Sequence, residues 1–505
     1  MNHLRRSLAH LNGQILLDRL PWVIIGLGII LRVAEYLPNR SLWRDEASLA
    51  LNITNRSLFE LLSKPLDYNQ GAPLGFLLIQ KLAVQIFAAN EYALRLFPLL
   101  CGIASLFLFY AVAKTYIRPG AVLVALSLFA ILDPLVYYSS EAKQYSSDVA
   151  LVLLLFWLIA YYETNPRSPW RLMLLGGVGT VAIWFSHPVI FMLGGMALYL
   201  AVPYLKAKDW RSLARLSSVC LLWAASFVVL YFVSLRSLAA SQYLLDFWNE
   251  AFWPLGVRLG SITWPVYRFF RIFDYPVGLS FPGLAAMLFV LGCISIWAWN
   301  RRSLFLWVTP IFLVLLASGL HKYPFAGRLM LFVVPGVLLL IGEGSLWLID
   351  NARYHKTLLG LVVLTLLFWG PLSTAQHNLV VPPTIQEIKP VMRYIQQHQQ
   401  SGDLLYVGGV ANEPFMFYAE RYGFGYQDYI VGANGRKDWT LYAEDILSLG
   451  GNKRVWLLLS IYPEEDKRFI LSYLDAMGTR LDSFQASSGS VYLYDLSQVS
   501  QKARR

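Results

Sequence analysis

The chain is 505 residues long, 57% hydrophobic and 15% aromatic, with only 14% charged residues and a mean hydropathy of +0.49. Water-soluble domains carry about 25% charged residues, so this composition cannot cover a solvated surface and excludes an ordinary soluble protein. The formal charge of +11 does not signal nucleic acid, because Lys and Arg sit in short clusters between apolar runs, as membrane orientation requires.

A helical span takes about 20 mainly apolar residues. Eleven such segments are expected, near 18–37, 92–114, 119–138, 147–163, 172–185, 188–205, 215–234, 278–299, 304–319, 328–348 and 357–373. No small-residue cleavage site follows the first apolar run, which therefore reads as a retained span and not a signal peptide. Arg5/Arg6, Lys114/Arg118, Arg167/Arg171, Lys206/Lys208/Arg211/Arg215, Arg301/Arg302 and Arg353/Lys356 fall at every second loop, which marks that side as cytoplasmic. Fusing the fifth and sixth segments across Ser186-His187-Pro188 would break the alternation, so two crossings are expected there. Cys101, Cys220 and Cys293 lie inside apolar runs and give no disulfide or zinc pattern.

The other set of loops is longer: about 38–91, 133–148, 235–277 and 321–326. In the first, apolar residues recur at helical spacing from Asp45 to Ser63 and again from Pro73 to Ala88, as in helices lying on a membrane surface. Beyond the last span the chain turns polar. The division is a membrane domain, 1–375, and a soluble domain, 376–505, on the outer side. The tail reads as a small α/β domain. It has helices over Ile388–Gln399, Pro414–Glu420 and Glu464–Met477, and strands over Leu404–Val407, Arg454–Leu459 and Ser490–Leu496. Gly408-Gly409 is far from a dinucleotide fingerprint and implies no cofactor.

Four outer segments carry candidate chemistry. Trp43-Arg44-Asp45-Glu46 puts two carboxylates at an interface, where charge is costly unless hydrated, paired or used; a plain helix start, with Asp45 as N-cap, explains it structurally. Tyr137–Tyr145 holds Glu141 and Lys143 among three tyrosines; an aromatic belt with a snorkelling lysine accounts for all but Glu141. His321-Lys322-Tyr323 through Arg328 gathers basic residues on the side that should lack them. Arg offers a planar fork and Lys a point charge to an anion, with lipid-headgroup contact as the plain alternative. His187 is a weaker candidate, since a lone interfacial His is more often structural.

These segments, in this order, resemble the C-type membrane glycosyltransferases, and in pattern glycosyltransferase family 39, which includes protein mannosyltransferases and bacterial aminoarabinose transferases. The resemblance covers roughly 15–375. It rests on the Asp45-Glu46 pair after the first span, a Glu-x-Lys-x-Tyr segment at Glu141, Lys143 and Tyr145, and a late outer loop ending in Gly327-Arg328. It implies a mainly α, polytopic fold with outer surface helices. It also implies a sugar donor carried on a polyprenyl phosphate, an unidentified acceptor, and the bilayer as partner. Asp45 matches the family's catalytic carboxylate, and Glu46 its neighbour, orienting acceptor or a cation. Arg44, Glu141, Lys143, Tyr145 and His187 fall on the substrate side; the family often has Arg where Lys143 stands. His321, Lys322, Tyr323 and Arg328 fall where the lipid phosphate is held.

The chemistry suits these residue types. A carboxylate takes the acceptor hydroxyl proton, fixed cations receive the charge growing on the leaving phosphate, and one carboxylate opposite the leaving group implies inversion. An acidic pair at Asp45 and Glu46 permits a divalent cation without requiring one. Acceptor sequons at Asn39, Asn52 and Asn55 would crowd Asp45 with glycans, which favours a bacterial inner membrane with the site on the periplasmic face. The competing readings are a transporter or flippase of a lipid-linked sugar, which would need midplane charges, and a non-catalytic assembly or sensor protein.

Overall fold

A computed structural model of the chain describes residues 2–256, 259–352, 355–425, 427–433 and 438–498; Arg353 of the basic loops lies outside them. The molecule is mainly helical, with one small sheet confined to the C-terminal domain. Among the described residues seven helices are long and apolar enough to cross a bilayer singly. The pair Pro119–Ile131 and Asp133–Ser140, bent by 58°, makes an eighth.

The remaining expected segments lie in Asn2–Tyr36, in the shorter Pro169–Phe185 and in the two halves of Pro282–Gly319. That last helix leaves helical geometry at Asn300 (φ −146°, ψ 59°). Asn300 Oδ1 then accepts from the Ser303 N–H at 3.4 Å, so one residue breaks the first half and caps the second. The third expected segment is not straight: Leu132 leaves helical geometry (φ −61°, ψ 124°) and the chain restarts as a helix at Asp133, with Pro134 in its first turn, where the missing N–H is tolerated.

The helices pack closely where side chains are small. A Cβ on Gly292 would come within 1.9 Å of the Leu340 carbonyl oxygen, and one on Gly344 within 1.8 Å of the Leu288 carbonyl oxygen. Only glycine allows the backbones of Pro282–Gly319 and Val334–Asn351 to touch in this way. Large apolar side chains such as Trp22, Phe232 and Trp369 stay exposed on the outside of the bundle, a surface suited to lipid.

In the first loop the single surface helix expected over Asp45–Ser63 is two, Arg44–Asn55 and Leu58–Ser63. Ser57 accepts from the Glu60 N–H while Glu60 reaches back to the Ser57 N–H, a capping box that starts the second helix afresh. The next helix, Leu74–Phe87, falls within the expected 73–88.

Among the described residues the C-terminal α/β region has five strands: β1 Leu404–Val407, β2 Tyr429–Val431, β3 Val455–Ser460, β4 Thr479–Gln485 and β5 Gly489–Asp495. Their order is β2-β1-β3-β5-β4. β1 runs parallel to β2 and β3, and β5 runs antiparallel to β3 and β4. Helices Lys389–His398, Asn412–Tyr418, Trp439–Ser448 and Glu464–Met477 accompany it. β2, β4 and Trp439–Ser448 are additions to the sequence expectation.

Candidate active site

The site begins where the first loop turns back into a helix. Trp43 is extended (φ −78°, ψ 168°) and the helix starts at Arg44. Asp45 is therefore not the N-cap; it sits inside the first turn with Glu46, where the helix dipole favours carboxylates. Neighbouring residues on a helix diverge by about 100°, and the two acids meet different partners.

Glu46 is fully buried and committed to Arg95. Arg95 Nε donates to Glu46 Oε1 at 2.9 Å and NH2 to Oε2 at 2.6 Å. The Ala142 N–H adds a bond to Oε1 at 2.8 Å. Arg95 also donates to the Arg40 and Ser41 carbonyls, so the pair ties the first loop to helix Glu91–Tyr116.

Asp45 faces two cations from distant segments. Lys143 Nζ lies 3.1 Å from its Oδ1, and Arg328 NH2 lies 2.7 Å from its Oδ2. Arg328 NH1 is 3.9 Å from Glu141 Oε1. The Arg328 guanidinium stands over the rings of Trp43 (5.1 Å) and Tyr145 (5.4 Å), within cation–π range. It is presented by the turn Gly327–Val333, which starts at a positive φ of 52° with Tyr275 only 3.2 Å from where a Cβ would stand. Glycine at 327 meets both constraints. Gln70 accepts from Lys143 Nζ and also lines a cleft of roughly 180 Å³ between the first loop and residues Val233 to Leu244, with Lys64, Ser234, Ser237 and Ser241 in its wall. The cleft therefore ends beside the Asp45–Lys143 pair.

Electrostatics separate the carboxyls. Burial alone would raise Asp45, but Lys143 and Arg328 outweigh it and hold the carboxyl down to about 2. Burial pushes Glu141 up to about 7, with Arg328 pulling the other way and the charges of Glu46 and Asp45 adding to the rise. Burial lowers Lys143, against the pull of Asp45. Among the described residues neither Glu141 oxygen has a hydrogen-bond partner.

The other sequence candidates are distributed as follows. Tyr145 is buried beneath Arg328; with Tyr138 also buried, this segment is interior and not an aromatic belt. His187 lies in the turn before Val189–Lys206; its Nε2 has no hydrogen-bond partner among the described residues, and burial lowers the ring to about 4. Tyr323 donates to the Leu329 carbonyl at 2.9 Å and packs on Phe191. His321 and Lys322 are exposed, with His321 against Phe252, and no hydrogen bond or ion pair among the described residues joins them to Asp45, Glu141 or Arg328. Arg44 turns to the C-terminal α/β region and pairs with Glu413 at 3.0 Å. The cation allowed for Asp45 and Glu46 has no shared site, since the two diverge. Among the described residues no three His, Cys, Asp or Glu side chains form a metal-binding group. Sequence reasoning missed Arg95, Gln70 and Glu413. A Glu91/Arg95 pair one turn apart at the outer end of an apolar span was the available signal for the first.

Residues 71–236 match the family model described as dolichyl-phosphate-mannose-protein mannosyltransferase. The fold is similar to that of ArnT from Cupriavidus metallidurans in the apo state, at 12% identity, with 97% of this chain and 99% of that chain covered and a TM-score of 0.56. The matched segment is thus similar to the mannosyltransferase family, and the chain as a whole has a fold similar to that of ArnT. The same ArnT bound to undecaprenyl phosphate aligns at 12% identity over 93% of this chain and 97% of that chain, with a TM-score of 0.54. The oligosaccharyltransferase AglB from Archaeoglobus fulgidus, in complex with an inhibitory peptide and a dolichol-phosphate, aligns at 10% identity over 95% of this chain and 75% of that one, with a TM-score of 0.51. No curated protein sequence matches the chain.

Proposed function

We propose that this glycosyltransferase moves a sugar from a polyprenyl-phosphate donor to a hydroxyl of a lipid, glycan or protein acceptor, with inversion. Transfer takes place at the Asp45 end of the bundle, the periplasmic face of a bacterial inner membrane. The observation that carries the reading is one carboxylate, Asp45, flanked by two cations, Lys143 and Arg328, at 3.1 and 2.7 Å. ArnT with undecaprenyl phosphate and AglB with dolichol-phosphate support a lipid phosphate as the donor's carrier. Lys114, Arg118 and Arg302 at the opposite end support the orientation.

In this mechanism the acceptor hydroxyl gives its proton to Asp45 while its oxygen bonds the sugar's anomeric carbon. The bond from that carbon to the phosphate oxygen breaks, and the electron pair leaves with the polyprenyl phosphate. Arg328 and Lys143 receive the growing negative charge, and Lys322, His321 and Tyr323 line the approach. The phosphate and Asp45 compete for the same two cations. A donor that draws them off removes what holds Asp45 at about 2 and returns it toward the strength of an ordinary carboxylate base. Glu141, whose carboxyl burial raises to about 7, borders the sugar and acceptor with Tyr145 and His187. Glu46, locked to Arg95, orients the turn that carries Asp45.

The test is transfer from a labelled pool of polyprenyl-phosphate sugars, in membranes, for wild type and Asp45→Asn at equal folded protein. A loss of about 100-fold or more, the scale of a general base, supports the reading. Transfer unchanged in the variant removes Asp45 from the mechanism, and absence of transfer from every donor in the pool removes the donor class.

A further inference from the structure

We propose that the soluble domain is a positioning device for the catalytic carboxylate, with Glu413 holding Arg44 and thereby setting where Asp45 stands. The inference rests on the reading of Asp45 as the base.

The contacts fall on one short segment. The Ser41 N–H donates to Glu387 Oε2 at 3.3 Å, and the Ser41 hydroxyl bonds the same carboxylate. The Leu42 N–H donates to the Tyr418 hydroxyl at 2.8 Å. The Arg44 N–H donates to Gln386 Oε1 at 2.8 Å. The Arg44 guanidinium grips Glu413 from Nε at 3.2 Å and NH2 at 3.0 Å. The soluble domain therefore takes up three of the four N–H groups from Ser41 to Arg44. Glu46 accepts the remaining one, from Trp43, at 3.4 Å.

The same domain is fastened to the helix that anchors Glu46. Tyr418, which accepts from Leu42, donates to Glu91 Oε1 at 3.0 Å. Lys389 and Arg421 reach that carboxylate at 2.9 and 3.2 Å. Glu91 lies one turn before Arg95 on Glu91–Tyr116. The residue before Asp45 is thus held by the soluble domain, and the residue after it by the membrane domain.

A plain interface would hold the two domains together anywhere along their contact. Here the grip ends on the residue next to Asp45, whose two cations come from other parts of the chain. A small shift of Ser41–Arg44 moves the carboxylate against Lys143 and Arg328 without unfolding either domain. Misplacement of roughly 1 Å at a reacting group lowers rate by about 100-fold.

The experiment uses the full chain in proteoliposomes with the labelled donor pool, measuring kcat and donor KM together with thermal unfolding. Glu413→Gln and Arg44→Gln are each expected to lower kcat about tenfold or more, with donor KM unchanged. The double variant should lose no more than either alone, as for residues acting through one contact, and Glu413→Asp should recover part of the loss. Asp403→Asn is the control. Asp403 takes Arg454 Nε at 2.7 Å and Trp456 Nε1 at 2.8 Å within the soluble domain, so its loss should lower stability while kcat holds. Wild-type kcat in Glu413→Gln overturns the proposal. So do losses that multiply in the double variant, or a kcat loss in Asp403→Asn that tracks its stability. If Glu413→Gln does not fold, Arg44→Gln reads the same contact from the other side. Full activity in Asp45→Asn would sink the base assignment itself. An inactive Asp45→Asn beside a fully active Glu413→Gln would remove only the positioning role.

Discussion

Two fully buried glutamates at opposite ends of the bundle show how differently this fold treats charge. Glu343 is saturated. Its Oε1 takes Arg118 Nε at 2.6 Å and Ser295 Oγ at 2.9 Å, and its Oε2 takes the Arg118 N–H at 3.2 Å. Glu141 is as deeply buried, yet its nearest cation stands 3.9 Å away and neither oxygen is hydrogen-bonded among the described residues. Buried polar groups are normally satisfied. The Arg118 end has the arrangement of a structural joint, and the Arg328 end has bonding capacity left over for a substrate.

The largest expected contrast is between the two arginines. Arg328→Met should lower kcat by about 100- to 1,000-fold, the range for removing a fixed electrostatic stabiliser. Arg118→Met should leave turnover per folded molecule at the wild-type level and reduce thermal stability. Single-turnover transfer at matched folded protein checks both, and equal kinetic losses would break the contrast.

The site end also contains a joint of its own. Glu46→Gln leaves Arg95 buried and uncompensated, which should cost about 3–5 kcal/mol of stability, read by denaturation in detergent. Wild-type stability in this variant would mean that Arg95 finds other acceptors.

The pH response of Glu141 gives a smaller effect with a definite sign. The folded carboxyl keeps its proton up to about 7, whereas its ordinary value is 4.5. Between these values the folded state binds more protons, so stability falls as pH rises through the window. Wild-type Tm should therefore drop from about pH 4.5 to about pH 7 relative to Glu141→Gln, whose curve lacks this component. Parallel curves would show that Glu141 titrates alike in the folded and unfolded chain.

The smallest effect belongs to Lys322. Exposed charge pairs contribute about 0–1 kcal/mol, so Lys322→Ala should raise donor KM by less than about fivefold, as measured in the same transfer assay. A larger rise would bring this lysine into the phosphate site beside Arg328.

Much of this was readable before any coordinates. Strand Leu404–Val407 and helix Glu464–Met477 were expected at their observed bounds, because each has a clean period and a clear stop. Asp45, Lys143 and Arg328 stood out as charges on outer loops, and the fold brings them together. β4 was not readable: as an edge strand paired only with β5, it is mostly exposed and its sequence, Thr479–Gln485, lacks an apolar face. Residues 119–138 looked like one continuous span because hydropathy does not register the bend before Pro134. The Arg44–Glu413 pair was invisible for a different reason. Its members are 369 residues apart, and neither has a local pattern that names the other.

The backbone contact at Gly292 and Gly344 has a consequence for motion. Two helices that touch through carbonyl oxygens cannot rotate or slide past each other without collision. Val334–Asn351 follows directly on the turn that presents Arg328, so that arginine is mounted next to a helix whose backbone is locked against its neighbour. Any adjustment that opens the gap between Arg328 and Asp45 must come from side-chain swing or from the loop bearing Asp45. That loop is held by contacts from the C-terminal segment at Ser41, Leu42 and Arg44.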